Sequence, residues 1–198
     1  MDLDEARARI LDAAEKLFYD RGIQSVGMDE LRTAAGVSLK RLYQCFPAKH
    51  DLVEAYLRRR DARWCASLGE YVAAHADAPE ARPLVVFDWL YTWFSDPDFR
   101  GCAFINSFGE LGATSQGVGR VAREHKGALL SYLTGLLRAV PVDRPEALAG
   151  QLALLVDGAI TTAAITGAPD AARRARAAAE ALLAAAGAGE AGRTSASA

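Results

Sequence analysis

Apolar residues recur at helical spacing along almost the whole chain, and no stretch alternates apolar and polar residues as a half-buried strand does. Ile10, Ala14, Leu17 and Phe18 form one such stripe, and Gly22 follows them as a stop signal. With 51% hydrophobic and 24% charged residues, the 198-residue chain has enough apolar sequence for a sizeable core. The pattern therefore predicts an all-α fold.

Glycine and proline divide this pattern into separate helices. Gly36 ends a short second helix, residues 96–98 (DPD) break a later one, and residues 167–169 (GAP) end the most apolar one. After the first helix, we predict helices over residues 28–34, 39–46, 49–71, 84–94, 102–111, 118–140, 146–166 and 170–186.

The segment from Met28 to Phe46 constrains function most strongly. It predicts two short helices joined by a tight turn, in which Gly36 takes a left-handed conformation that strains other residues. We expect Val37, Leu42 and Phe46 to pack inward. We expect Lys40, Arg41 and Gln44 to point outward. This is the geometry of a helix-turn-helix, whose second helix enters the DNA major groove.

Positive charge is concentrated at this motif, although the net charge of the chain is -2. Residues 1–31 hold four Lys and Arg against eight Asp and Glu, whereas residues 32–63 hold eight against three. A local basic patch matters more for phosphate binding than the total charge. The charge distribution therefore supports a DNA-binding role for the motif.

Four segments between Ile10 and Leu52 carry a family resemblance: residues 17–22 (LFYDRG), 35–38 (AGVS), 42–43 (LY) and 46–49 (FPAK). In this order they resemble the TetR family of bacterial transcriptional regulators. A weaker similarity to the ligand domains of that family lies in residues 100–106 (RGCAFIN). The resemblance implies an N-terminal three-helix DNA-binding domain joined to a C-terminal helical domain that binds a ligand and dimerises.

The chain departs from the usual family pattern at three places. Gly27 stands where Ser or Thr commonly caps the second helix and touches phosphate, Arg32 replaces a usual Ala, and Lys40-Arg41 replaces a commoner small pair. The first departure removes an expected phosphate contact, the other two add positive charge, and Lys40 and Arg41 also alter base readout. They change the expected operator sequence and leave the class of function unchanged.

Lys40 and Arg41 are the candidates for base contacts, because Arg or Lys paired with guanine is the commonest specific contact. The resemblance implies that Tyr43 contacts phosphate, and Lys49 lies at a helix start, where a cation and amide donors can hold a phosphate. The arginines of residues 58–63 are expected to form a solvated helix face. The predicted DNA-binding set is Ser38, Leu39, Lys40, Arg41, Tyr43, Gln44 and Lys49.

Aromatic residues in the second half predict an apolar cavity for a small molecule. The stripe formed by Phe87, Leu90, Tyr91 and Phe94 fits a ligand site and plain core equally well, and Trp89 and Trp93 are expected to pack on a neighbouring helix. Asn106 and Glu110 are the polar groups expected nearest the ligand. The predicted ligand-binding set is Phe87, Leu90, Tyr91, Phe94, Phe104, Asn106, Phe108, Glu110 and Asp157.

Asp157 stands among apolar residues, so its carboxylate needs a partner or water, at a ligand or at a helix interface. The last two long helices carry small and apolar faces that include Ala149, Leu152, Val156, Gly158 and Ala163. The resemblance implies that two such helices from each subunit form a four-helix dimer interface. A two-fold dimer doubles the readout and matches a palindromic site.

The predicted organisation is therefore a DNA-binding domain over 1–48, a ligand-binding and dimerisation domain over 49–186, and a disordered tail over 187–198. The predicted function is a cytoplasmic homodimeric regulator, a repressor that a small apolar or aromatic effector releases from a palindromic operator. Activation is also compatible with the sequence.

Other classes of protein have less support. The acidic start lacks a signal-peptide pattern and we expect no apolar run to span a membrane, so no membrane partner is predicted. Cys45, Cys65 and Cys102 are widely spaced, which predicts free thiols, no metal and no cofactor. No local catalytic motif is present, so no enzyme activity or catalytic residue is predicted. The alternative is a small-molecule-binding protein or enzyme on a TetR-like scaffold, which turnover without DNA binding would favour.

Overall fold

The computed structural model describes residues 2–195, with side chains described for residues 2–187. This part of the chain contains nine α-helices and one short 3₁₀ helix over Pro79–Ala81, and no strand. The all-α prediction is confirmed. The helices are α1 (Leu3–Arg21), α2 (Met28–Ala35), α3 (Leu39–Cys45), α4 (Lys49–His75), α5 (Arg82–Phe94), α6 (Ala103–Leu111), α7 (Gln116–Leu137), α8 (Pro145–Thr166) and α9 (Ala171–Ser195).

The helices belong to two compact units. Within the described residues, the first unit comprises residues 2–64 and 102–125, and the second comprises residues 65–101 and 126–195. The first unit therefore contains α1 to α3, the beginning of α4, all of α6 and the beginning of α7. The sequence predicted a domain boundary at residue 48. The first unit of the structure contains that N-terminal module together with two later segments, residues 49–64 and 102–125.

A continuous apolar core holds α1, α2 and α3 together in the first unit. Asp2 caps α1 by accepting a hydrogen bond from the Glu5 N–H, and the inward face of α1 buries Ile10 and Phe18. Leu31 of α2 and Leu42 of α3 are fully buried, and both helices pack on α1. Burial of these side chains, more than the intrinsic stability of such short helices, fixes their positions.

Ion pairs join α4 to α1 and to α7 within the first unit. Arg59 donates to Asp12 at 2.8 Å and to Glu15 at 2.7 Å, and Arg63 also contacts Glu15. On the other side, Arg58 pairs with Glu124 at 2.8 Å. The expected solvated arginine face is present only in part. The side chains of Arg58 and Arg63 are more than half exposed and those of Arg59 and Arg60 are largely buried, and all four bind carboxylates of neighbouring helices that lie far away in sequence.

In the second unit, α5, α8 and α9 pack on one another. Phe87, Leu90 and Phe94 of α5 are buried, as are Leu152 and Val156 of α8. Trp89 donates to the Ser67 hydroxyl of α4 at 3.2 Å, as expected for packing on a neighbouring helix, and Trp93 stacks on Trp89 within α5. Asp157 pairs with Lys126 of α7 at 2.5 Å, which supplies the partner that its surroundings require.

Two features of the last helices differ from the sequence-based expectations. Within the described residues, Pro145–Thr166 is the one helix long and apolar enough by length and composition to cross a membrane, although core helices of soluble proteins pass the same test. Helix α9 continues to Ser195, whereas a disordered tail was expected from Gly187. Residues 196–198 of that predicted tail lie outside the described residues.

Candidate nucleic-acid interface

A left-handed glycine joins α2 to α3. Gly36 has φ 64° and ψ 37°, and its N–H and that of Val37 donate to the carbonyls of Thr33 and Arg32, which ends α2. Ser38 then caps α3 by accepting a hydrogen bond from the Arg41 N–H at 3.2 Å. The local sequence thus produces the turn that the motif predicted.

The two faces of α3 are clearly divided. Val37, Leu42 and Phe46 are buried, as the sequence predicted. The opposite face exposes Leu39 by 42% and Tyr43 by 44%. Ser38, Lys40 and Gln44 are also exposed, and Arg41 is half-buried. The structure therefore brings six of the seven predicted DNA-binding residues together on one surface of a two-turn helix.

Lys49, the seventh predicted residue, is placed differently. Its ammonium donates to the Ile23 carbonyl in the turn before α2, with Nζ and O 2.6 Å apart. Partial burial lowers the pKa of Lys49 from its ordinary value, and the negative charge of Glu110 acts in the opposite direction. The side chain thus has an internal hydrogen-bond partner at the start of α4.

Two arginines beside α2 are held by acidic residues of its first turn. Arg32 donates to Asp29 at 2.7 Å, and Arg21 of α1 donates to Glu30 at 2.5 Å. Because nearby carboxylates balance their positive charge, Arg32 adds less net positive charge to the motif than the sequence alone suggests. Phosphate would have to compete with Asp29 for this guanidinium.

Sequence reasoning missed Arg7, which contacts the end of α3. Its Nη1 donates to the Cys45 carbonyl at 3.0 Å, and its guanidinium carbon lies 4.3 Å from the centre of the Phe46 ring. The contact joins residues 38 positions apart, and no local pattern in the sequence indicates it.

The predicted ligand-binding residues fall in both units. In the first unit, Phe104 is buried and stacks on His125 with ring centres 3.7 Å apart, whereas Asn106 and Phe108 are exposed. Nδ1 of His125 lies 2.7 Å from the Asp61 carboxylate, so His125, to which the sequence assigned no role, is part of a buried polar contact.

Glu110 has internal partners for both carboxylate oxygens. It accepts hydrogen bonds from the backbone N–H groups of Ile23 at 3.0 Å and Gln24 at 2.8 Å, and the Gln24 side chain donates to the Glu110 carbonyl. The carboxylate lies against Gly22, whose φ of 83° requires glycine. A ligand contact at Glu110 stays a prediction that must compete with these bonds.

In the second unit, three of the predicted ligand-binding residues, Phe87, Leu90 and Phe94, are buried, and Tyr91 is half-buried with the Arg173 guanidinium 4.0 Å from its ring centre. Phe94 also packs on Phe99, with ring centres 4.8 Å apart. Phe87, Leu90 and Phe94 are part of the core of the second unit. Their predicted contact with a ligand remains a prediction, as does that of Asp157.

The outward face of α8 differs from the face that the sequence singled out. Ala149, Leu152, Val156 and Ala163 are buried inside the chain, so their assignment to a partner face was wrong. The exposed face follows a different helical register and carries Ala147, Gln151, Leu154, Gly158, Thr161 and Ile165. Leu154 is 74% exposed and Ile165 is 80% exposed. Because both faces of α8 carry small and apolar residues, composition alone did not distinguish the buried face from the exposed one.

A buried three-helix scaffold that presents one short helix with exposed polar and cationic side chains is that of a helix-turn-helix DNA-binding regulator of transcription. The family model described as bacterial regulatory proteins of the tetR family matches residues 10–56. The crystal structure of SCO4454, a TetR-family transcriptional regulator from Streptomyces coelicolor, is 30% identical with a TM-score of 0.85, over 93% of this chain and 97% of that one. The chain belongs to the TetR family.

Other relatives extend the comparison. The sav143 protein from Streptomyces avermitilis is 32% identical with a TM-score of 0.79, over 91% of this chain and 97% of that one. The HTH-type transcriptional activator FasR from Mycolicibacterium smegmatis is 48% identical over 56 residues, which cover 28% of this chain and 26% of FasR. Similarity to that activator therefore covers about a quarter of its length.

Proposed function

We propose that this chain is a homodimeric transcriptional repressor that binds a palindromic operator in the cytoplasm and that a small apolar or aromatic effector releases it. The observation that carries the proposal is the exposed face of α3, where Lys40, Tyr43 and Gln44 stand on a buried scaffold. Lys40 and Arg41 read base edges, and Tyr43 donates to phosphate.

Dimerisation is supported by the exposed apolar side chains of α8. Leu154 and Ile165 are large and exposed, and Gly158 between them has open space in front of it, which permits close approach of a second helix. A two-fold interface on this face repeats the same contacts in both subunits. It places two recognition helices on half-sites about 34–36 Å apart or at a multiple of that spacing.

Release by an effector requires that the effector bind one conformation of the dimer better than the other. A coupling free energy of about 1–3 kcal/mol weakens operator affinity roughly 5- to 150-fold, and the operator must weaken effector binding by the same factor. The aromatic residues of α5 support an apolar or aromatic effector. Titration of a compound with and without operator, followed by fluorescence of Trp89 and Trp93, measures this reciprocity.

Selection of bound fragments from random DNA with the purified full-length chain tests the proposal. We expect enrichment of one palindromic sequence, and absence of any enriched sequence would contradict it. A reporter placed downstream of the selected site then distinguishes repression from activation. The reporter experiment is needed because FasR, which is similar to this chain over 56 residues, is named an activator.

A further inference from the structure

The recognition helix α3 has only seven residues, so both of its ends need support from elsewhere. Its start is capped by Ser38, a residue of its own segment. The last carbonyl groups of a helix lack partners within the helix and carry partial negative charge. A cation that donates to one of them both satisfies the carbonyl and fixes the direction of the helix end.

Arg7 of α1 provides this support. Nη1 of Arg7 donates to the carbonyl of Cys45, the last residue of α3, at 3.0 Å. The same guanidinium group lies over the ring of Phe46, the next residue, at 4.3 Å. Phe46 is buried, so Arg7 contacts both a backbone atom of α3 and the side chain that anchors α3 in the core.

The backbone of Arg7 is itself fixed. Ala6 and Ile10, on either side of it, are fully buried, and Asp2 caps the first turn of α1. A second contact lies beside it, where the Cys45 thiol donates to the Leu3 carbonyl at 3.8 Å. The first turns of α1 and the last turn of α3 are thus joined by two contacts between segments far apart in sequence.

The neighbouring arginines of α1 behave differently. Arg9 pairs with Glu5 at 2.9 Å and Arg21 pairs with Glu30, so each has a carboxylate partner. Among the side chains that the structure describes, the contacts of Arg7 are to a carbonyl oxygen and a ring instead. Arg7 therefore places a positive charge at the C-terminal end of the recognition helix, where a cation is favourable.

We propose that Arg7 is a positioning residue for base recognition: it fixes the C-terminal end of α3 so that the side chains of Leu39 to Gln44 keep one register against the base edges. Without this contact the end of α3 frays and tilts, and contacts to bases lose alignment while contacts to phosphate, which are less demanding in geometry, persist. This inference rests on the proposed sequence-specific DNA binding.

The test uses full-length Arg7→Ala, Arg7→Lys and Arg7→Gln, with Arg9→Ala as the matched control. Fluorescence anisotropy at several salt concentrations measures affinity for the selected operator and for a random duplex. For Arg7→Ala we expect operator affinity to fall roughly tenfold, because hydrogen bonds to charged groups are worth more than neutral ones. Affinity for the random duplex and the salt slope should stay unchanged.

The remaining variants separate charge from position. Arg7→Lys keeps a cationic donor and should recover part of the operator affinity, whereas Arg7→Gln, with a donor and no charge, should recover less. Arg9→Ala should behave like the wild type. Circular dichroism and thermal unfolding show which variants fold. If Arg7→Ala does not fold, the operator affinities of Arg7→Lys and Arg7→Gln are compared instead.

Two outcomes would overturn the inference. Equal loss on both duplexes with a salt slope smaller by about one unit would make Arg7 a phosphate contact. Unchanged operator affinity in all folded variants would remove it from recognition altogether. Failure of the proposed function is seen earlier and separately, as absence of an enriched sequence with the wild-type chain.

Discussion

Lys49 at the start of α4 donates a hydrogen bond to the Ile23 carbonyl, with the two atoms 2.6 Å apart. The bond joins the fourth helix to the turn that precedes α2, and the ammonium also lies 5.9 Å from the centre of the Phe18 ring. A phosphate that binds Lys49 must share the ammonium with this carbonyl. An ammonium has three donors, so both contacts can be made at once.

Replacing Lys49 tests whether it reaches phosphate. If it does, Lys49→Ala should weaken binding equally on operator and random DNA and lower the salt slope by about one unit. Lys49→Arg should keep most of the slope. Titrations at several salt concentrations measure both. An unchanged slope in Lys49→Ala would leave Lys49 with the structural bond to Ile23 alone.

Arg41 should act on base preference rather than on general affinity. A bidentate contact to guanine is worth about 1–3 kcal/mol of discrimination, so Arg41→Ala should relax preference at one operator position in each half-site. Repeating the DNA selection with the variant shows which position loses its preference. Arg32→Ala, where the guanidinium already pairs with Asp29, is the matched control. Loss of affinity without any change in the selected sequence would identify Arg41 as a phosphate contact.

The exposed face of α8 should be the dimer interface. Leu154→Glu would bury an unpaired charge between subunits, so it should give monomers in light scattering and reduce operator affinity. Leu3→Glu, an exposed leucine of α1, is the control and should remain dimeric. A substitution at Ala163 would not be informative, because Ala163 is buried inside the subunit and a charge there would damage the fold. A Leu154→Glu protein that remains a full dimer would place the interface elsewhere.

Alkaline pH should destabilise the chain through Tyr56. This side chain is buried and packs edge-on to Phe18, and burial raises the pKa of Tyr56 well above its ordinary value of 10.0. Above pH 10 the unfolded chain loses this proton while the folded chain keeps it, so folding stability falls by about 1.4 kcal/mol per pH unit for each such group. Burial also raises the pKa of Tyr132, which adds to the effect.

Urea unfolding of Tyr56→Phe at pH 8 and pH 11 measures the contribution of Tyr56. We expect the variant to lose less stability than the wild type between these pH values, since it has no proton to release there. Tyr43→Phe, at an exposed tyrosine, controls for removal of a hydroxyl group. Identical losses in the wild type and Tyr56→Phe would mean that other groups cause the alkaline unfolding.

Local patterns in the sequence predicted the helices and the turn at Gly36, because capping, glycine conformation and apolar spacing act within a few residues. They also predicted the division of α3 into Leu42 inside and Lys40 outside. What they missed are contacts between segments far apart. Arg59 with Glu15, Arg7 with Cys45 and Lys49 with Ile23 are each set by tertiary packing, and a charged side chain looks the same in sequence whether it faces solvent or a neighbouring helix.

Glu110 is the clearest example, and its two roles can be separated by experiment. The sequence placed its carboxylate beside a ligand, whereas in the structure both oxygens accept hydrogen bonds from the turn at Ile23 and Gln24. As a brace, Glu110→Ala should leave the partly buried Ile23 N–H without its acceptor and lower folding stability by about 1–3 kcal/mol. Glu110→Gln, which keeps one acceptor oxygen, should lie between the variant and the wild type. As a ligand contact, Glu110→Ala should instead lower effector affinity at wild-type stability, so urea unfolding together with effector titration of the same protein decides which role Glu110 has.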